Sequence, residues 1–187
     1  SGKRVPTLVE LARRKGMKAG LVVTSSITHA TPAAFFAHQV SRKSEEAIAV
    51  DILASGLDLF IGGGRRYFAE RSDGCDLLAE LSAAGYEVVD DPAGLARSKG
   101  PRLAGLVADG HLPTITDGRG PFLPDAVGIA LSRLPGPKGY FLMVESGRID
   151  HAHHEGNAFR ALNDTQELDR AIGAAARAVD LRDTLII

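Results

Sequence analysis

Short apolar runs alternate with longer segments in which apolar residues recur at helical spacing, and the alternation persists from one end of the chain to the other. A mainly parallel α/β sheet with helices on both faces produces this order, because each crossover between parallel strands needs a covering helix. The pattern predicts a helix from Thr7 to Lys15, stopped at Gly16, and a strand from Ala19 to Thr24. A second helix is expected to start at the N-cap residue Ser44 and to run through Ala49 and Ile52 to Gly56. Glu45 and Glu46 fall in its first turn, where the helix dipole favours carboxylates. Leu57–Ile61 reads as the next strand, ended by a Gly62-Gly63-Gly64 turn. Asp76–Ala84 and Ala93–Arg97 read as helices, and Tyr86–Val89 and Leu103–Ala108 as strands. Asp109–Leu123, rich in proline and glycine, reads as a long loop of the kind that often carries function. Pro124–Leu134 is expected to be helical. Gly139–Val144, apolar, aromatic and preceded by Pro135-Gly136-Pro137, is expected to be a buried strand. Phe159, Leu162, Leu168 and Ile172 mark the sheet-facing stripe of a long alanine-rich helix over Phe159–Val179, and Thr184–Ile187 is again strand-like.

The composition agrees with one globular domain. The chain has 187 residues, 44% hydrophobic and 24% charged, with a net charge of −1, and neither a repeat nor an internal boundary interrupts residues 1–187. The near-neutral charge argues against a nucleic-acid partner, which would call for a basic excess. No apolar stretch approaches the roughly 18 residues of a membrane span, and no signal segment opens the sequence. Cys75 is the only cysteine, so no internal disulfide can form.

Candidate chemistry concentrates directly behind the Gly139–Val144 strand. Residues 143–157 hold three carboxylates (Glu145, Asp150, Glu155) and three histidines (His151, His153, His154). Ligands collect at the carboxyl ends of strands in open α/β sheets, so these groups stand where chemistry is expected. Imidazole and carboxylate without thiolate suit zinc, and an isolated carboxylate such as Glu145 also suits magnesium. Asp150 and His154 are four apart and share a face if the segment is helical, while His151 and His153 then point elsewhere. A solvated polar loop is the plainer alternative.

A second constellation follows the strand ending at Thr24. Thr31 is expected to be an N-cap, with Pro32 in the first helical position. Arg42 is either a solvated surface charge or a bidentate phosphate ligand, which its planar guanidinium suits. Gly62-Gly63-Gly64-Arg65-Arg66 lacks the Gly-Lys-Ser/Thr of a phosphate loop and reads as a turn.

Four segments, in this order, resemble motifs of the alkaline phosphatase family: His29-Ala30-Thr31-Pro32-Ala33, Val40-Ser41-Arg42, Ile61-Gly62-Gly63-Gly64-Arg65 and Val144-Glu145-Ser146-Gly147-Arg148-Ile149-Asp150-His151-Ala152-His153-His154-Glu155-Gly156. The first and last are highly specific, and Ala161–Thr165 through Asp169–Ile172 is also similar. The resemblance implies an alkaline phosphatase-like α/β fold and a hydrolase of phosphate monoesters that releases inorganic phosphate. It would use zinc (Zn2+) at two sites and one magnesium (Mg2+) and pass through a phosphoserine. It implies that Asp150 and His154 bind the first zinc, that Thr31 and Glu145 bind magnesium with His29 behind them, that Arg42 grips phosphate, and that His151 lies near it. Paired metals suit phosphoryl transfer, which asks mainly for positioning and charge neutralisation. A periplasmic or secreted location follows from the family alone, and a homodimer is compatible with it.

The departures are as informative. No Asp-Ser-Ala, the family's nucleophile motif, occurs in the 187 residues. The early aspartate that bridges magnesium and the second zinc, the Asp-His pair expected after Ile187, and a downstream histidine are missing too. Ser25, Ser26 and Ser146 match no nucleophile position. The expected object is therefore the central, incomplete part of such an enzyme, inactive alone. The alternatives are a related metallohydrolase of phosphodiesters or sulfate esters, and a non-catalytic metal-binding scaffold.

Overall fold

β1 (Lys18–Ser26) is almost entirely buried, and its side chains alternate between two separate apolar cores. Leu21 and Val23 enter one core and Val22 the other, as the period of two in a strand requires. In the computed structural model, which describes residues 3–187, β1 pairs in parallel with β2 (Leu59–Gly63) on one edge and β5 (Tyr140–Glu145) on the other. With β4 (Arg102–Leu106) and β3 (Tyr86–Val89) the order is β3-β4-β2-β1-β5, all parallel. One face is covered by α1 (Leu8–Arg14), α2 (Ala30–Ala34), α3 (Glu45–Ser55), α4 (Arg66–Ala69) and α5 (Leu77–Ala83). The other carries α6 (Pro92–Arg97), α7 (Phe122–Arg133) and α9 (Ala158–Ala178). The short α8 (Arg148–His154) follows β5. Helices on both faces of a parallel sheet are thus present. No described helix is long and apolar enough to cross a membrane.

Apart from Thr184–Ile187, the expected helix and strand types hold, with boundary shifts that matter for the site. Thr7 forms a capping box with Glu10, and Asp76 caps α5. Ser44 stands at the N-cap of α3 but its side chain makes no cap bond. Gly62 and Gly63 belong to β2, leaving only Gly64 in the turn. Thr31 is not an N-cap, nor Pro32 the first helical residue. β1 runs two residues beyond Thr24, and α2 starts at Ala30 with His29 as N-cap. Thr184–Ile187 forms no strand, and Leu185 and Ile187 are exposed.

The long helix α9 is present, but its sheet-facing stripe is not the one expected. Phe159, Leu162 and Ile172 are exposed, whereas Ala161, Asp164, Glu167 and Ala171 are buried. The reason is Arg119. Its guanidinium, 2% exposed, bonds both Asp164 and Glu167, each 0% exposed. Glu167 also accepts from Leu123 N–H at 3.0 Å and Asp164 from Ile115 N–H at 3.3 Å. Two fully buried carboxylates need these partners, and alanines beside them let the helix come close.

That clamp anchors one end of the segment between β4 and α7, and glycine anchors the other. Gly64 adopts φ +92° and donates to Gly110 O at 2.8 Å. A Cβ on Gly63 would lie 1.9 Å from the same oxygen, so only glycine admits this approach. Leu112 N–H then bonds Thr24 O at 3.1 Å, tying the segment to β1. Arg119→Ala should destabilise the fold by about 3–5 kcal/mol in urea denaturation, because it strands two buried carboxylates. A loss below about 1 kcal/mol would show that the clamp contributes little.

Candidate functional site

The strand order sets where a cleft must open. From β1 the chain turns towards the face carrying α3 and returns on the β2 side, whereas β5 lies across the other edge of β1 and leads to α8 and α9. The loops at the carboxyl ends of β1 and β5 diverge, which is the switch point where open α/β sheets place ligands. Glu145 ends β5, and Ile27, Thr28, His29, Arg148, Asp150, His151 and His154 all follow one of these two strands closely.

Glu145, half-buried at the end of β5, lies beside Val23 in register and accepts from Ser25 Oγ at 3.2 Å. Thr31 is exposed on α2, and its hydroxyl makes no hydrogen bond among the described residues. Losing the cap role is what leaves that oxygen free. Asp150 and His154 face each other on α8, with Nε2 to Oδ1 at 3.5 Å and both side chains mostly exposed. The conditional helical spacing is therefore met. His153 is exposed, and His151 turns away from the pair. Arg42 is exposed and its guanidinium reaches His29 Nε2 at 3.1 Å.

Three serines close to the site are already engaged. Ser25 bonds Glu145. Ser26 joins Thr28 and Tyr67 on Glu45, whose carboxylate accepts from Thr28 Oγ1 at 2.7 Å and Tyr67 OH at 2.8 Å. Glu45, read from sequence only as a dipole partner, thus ties the start of α3 to the end of β1. Ser146 is buried, with Asp164 O at 3.5 Å.

The structure also gathers a group that sequence reasoning missed. His111, from the loop after β4, joins His29 and His151, with ring centroids 5.2 Å from His29 and 4.4 Å from His151. His29 and His151 are themselves 5.2 Å apart, edge to face. One nitrogen of each ring lies within 4.8 Å of the others. Behind the rings, Ser26 N–H bonds His111 Nδ1 at 2.9 Å and Arg148 meets His151 Nδ1 at 2.7 Å. Although His111 is exposed as a residue, burial of its ring, then His151, His29 and Arg148, pull its pKa down to about 4. Burial and Arg148 lower that of His151 as well. The only sequence signal for His111 was a histidine in a long loop behind a strand.

The donors divide by type. Asp150 and His154 offer an oxygen and an imidazole nitrogen from one exposed helical face, a set that fits zinc. Glu145 and Thr31 offer oxygens alone, which fit magnesium.

These features define a doubly wound α/β protein whose polar groups gather at the carboxyl ends of central strands. A family model described as alkaline phosphatase matches residues 1–187, and the chain belongs to the alkaline phosphatase family. It is 39% identical over 183 residues to alkaline phosphatase 3 of Bacillus subtilis (strain 168), covering 93% of this chain and 39% of that protein. It is similar to the Thermus thermophilus alkaline phosphatase structure, with a TM-score of 0.87, 42% identity, and 92% of this chain and 38% of that one covered. A mutant alkaline phosphatase of TAB5, solved with Mg bound in its M3 site, gives a TM-score of 0.87 at 38% identity and covers 94% of this chain and 52% of that one. The chain spans about 40% of the length of the curated Bacillus relatives it matches.

His111 should titrate near pH 4 by NMR. An unfolded imidazole protonates near pH 6.5, so between these values the unfolded state binds more protons and stability falls as pH falls. His111→Gln should reduce the drop in urea midpoint between about pH 7 and pH 5, to which His151 contributes in the same direction. An unchanged drop would mean that His111 titrates normally.

Proposed function

We propose that these 187 residues supply the central part of a metal-dependent phosphate monoester hydrolase. The observation that carries this reading is the pairing of Asp150 with His154 on the open face of α8, beside the cleft that holds Glu145, Thr31 and Arg42. Asp150 and His154 would hold the first zinc, and Glu145 and Thr31 magnesium. When bound, such ions supply Lewis-acid neutralisation of charge on the attacking and leaving oxygens.

The chain's own groups have distinct tasks. Ser25 orients Glu145 by hydrogen bonding, which keeps its second oxygen available. Arg42, held on His29, presents its remaining N–H donors to phosphate oxygens. His151 stands behind the phosphate position with Arg148 at its back. Glu45 holds the β1 end and α3 together, so that Arg42 and Thr31 stay in register. With Ser25, Ser26 and Ser146 already engaged, none is assigned as nucleophile.

In the complete protein, Asp150→Ala and His154→Ala should each remove about one zinc per chain by metal analysis and lower phosphomonoester turnover by about a hundredfold or more. Unchanged zinc content with an unchanged rate would refute the assignment. The 187-residue chain alone, given zinc and magnesium, should not hydrolyse a chromogenic phosphate monoester at alkaline pH. Turnover abolished by Asp150→Ala would overturn that expectation.

A further inference from the structure

We propose that the end of the molecule opposite the cleft is a docking surface for an anionic phospholipid bilayer. All five strands are parallel, so the loops that enter them gather at one end and the loops that leave them at the other. The entering loops and the helix ends before them carry Arg14 and Lys15 ahead of β1, Arg97 and Lys99 ahead of β4, and Lys138 ahead of β5. All of these residues are exposed, and none forms an ion pair among the described residues.

Contacts join them into one rim. A Cβ on Gly16 would lie 3.6 Å from Lys138 Cγ, and Lys18 N–H bonds Gly139 O at 3.2 Å. Lys18 Nζ donates to Arg133 O at 2.8 Å, and Arg133 donates to Gly100 O at 2.8 Å and Ser98 Oγ at 2.7 Å. The rim therefore runs from Lys15 through to Lys99. Its carboxylates already have partners. Asp58 accepts from Arg13 at 2.9 Å and from Ala19 N–H at 2.8 Å, and Glu87 from Lys99 N–H at 2.8 Å and from Gly100 N–H. Glu80, on the helix before β3, stands at the edge of the sheet. The whole chain has a net charge of −1, so the excess of cations here is an arrangement and not a composition. Helix ends favour cations through the dipole, which accounts for Arg14 and Arg97. Lys99 and Lys138 lie outside any helix, and that account does not reach them.

Charge complementarity calls for an anionic partner, and a bilayer fits better than a nucleic acid. Single-stranded nucleic acid binds where exposed aromatic rings stand among the cations. Here Tyr86 is buried and Tyr140 half-buried. Leu11, in contrast, is 42% exposed one helical turn before Arg14 and Lys15, and an apolar side chain beside cations suits the boundary between headgroups and acyl chains. Each Lys or Arg held near an anionic membrane adds to the attraction. Docked in this way, the protein turns the cleft of Glu145, Asp150 and His154 towards solvent. The proposal does not depend on the hydrolase reading.

The test is cosedimentation of the complete protein with vesicles, either of phosphatidylcholine alone or with about one third phosphatidylglycerol. Protein should bind the anionic vesicles and not the neutral ones, and raising NaCl from about 0.05 M to about 0.5 M should weaken binding by about tenfold or more. Lys15→Glu/Lys99→Glu/Lys138→Glu should weaken it by about a hundredfold or more. Lys3→Glu/Lys43→Glu/Arg170→Glu, which makes the same change in charge off the rim, should stay within about threefold of the parent. Circular dichroism checks that each variant is folded. Equal losses in the two variants would show attraction to net charge alone and overturn the proposal. Binding to neutral vesicles, or none to anionic ones, would overturn it as well. Double-stranded DNA held by the parent and released by the rim variant, without vesicle binding, would assign the face to a nucleic acid and defeat the bilayer.

Discussion

The hydrogen bonding of β1 on both edges, together with its burial on both faces, governs the rest of the molecule. A strand confined in this way is apolar through its middle and carries its polar side chains, Lys18 and Thr24 to Ser26, at its two ends. β2 takes one edge and β5 the other, so the loops leaving β1 and β5 depart in different directions and a cleft opens between them. Thr31, Arg42 and His29 come from one wall of that cleft, and Glu145, Asp150, His151 and His154 from the other. Residues more than a hundred positions apart become neighbours because two parallel strands are paired.

A third wall depends on polar contacts. The segment after β4 is clamped at one end by Arg119 between Asp164 and Glu167, and at the other by its approach to Gly63 and Gly64. Between the clamps it delivers His111 to the two histidines. Arg42, Ser26 N–H and Arg148 each donate to one of the three rings.

Much of the architecture was legible because periodicity reflects burial. Tyr86–Val89 and the helix over Asp76–Ala84 follow from local pattern and capping, and the Asp150–His154 pairing follows from helical spacing. The stripe on α9 was misread because apolar identity stood in for burial. Phe159 and Leu162 face outward, while two carboxylates face inward on Arg119, a partner more than forty residues away in sequence. Thr31 was misread as a cap because the end of β1 is set by pairing with β2 and not by its own residues. Thr184–Ile187 has strand-forming side chains but pairs with no neighbour among the described residues, and β propensity without a partner makes no strand.

By itself the sequence determined the class of fold, the order of its elements and the residue types available for metal and phosphate chemistry, since these depend on spacing along one chain. The tertiary structure alone decided which of those residues meet, that His111 joins His29 and His151, and which ring nitrogens face a hydrogen-bond donor. These outcomes depend on partners brought together by strand order and loop anchoring, and a hydrogen bond between distant residues leaves no periodic trace in the sequence.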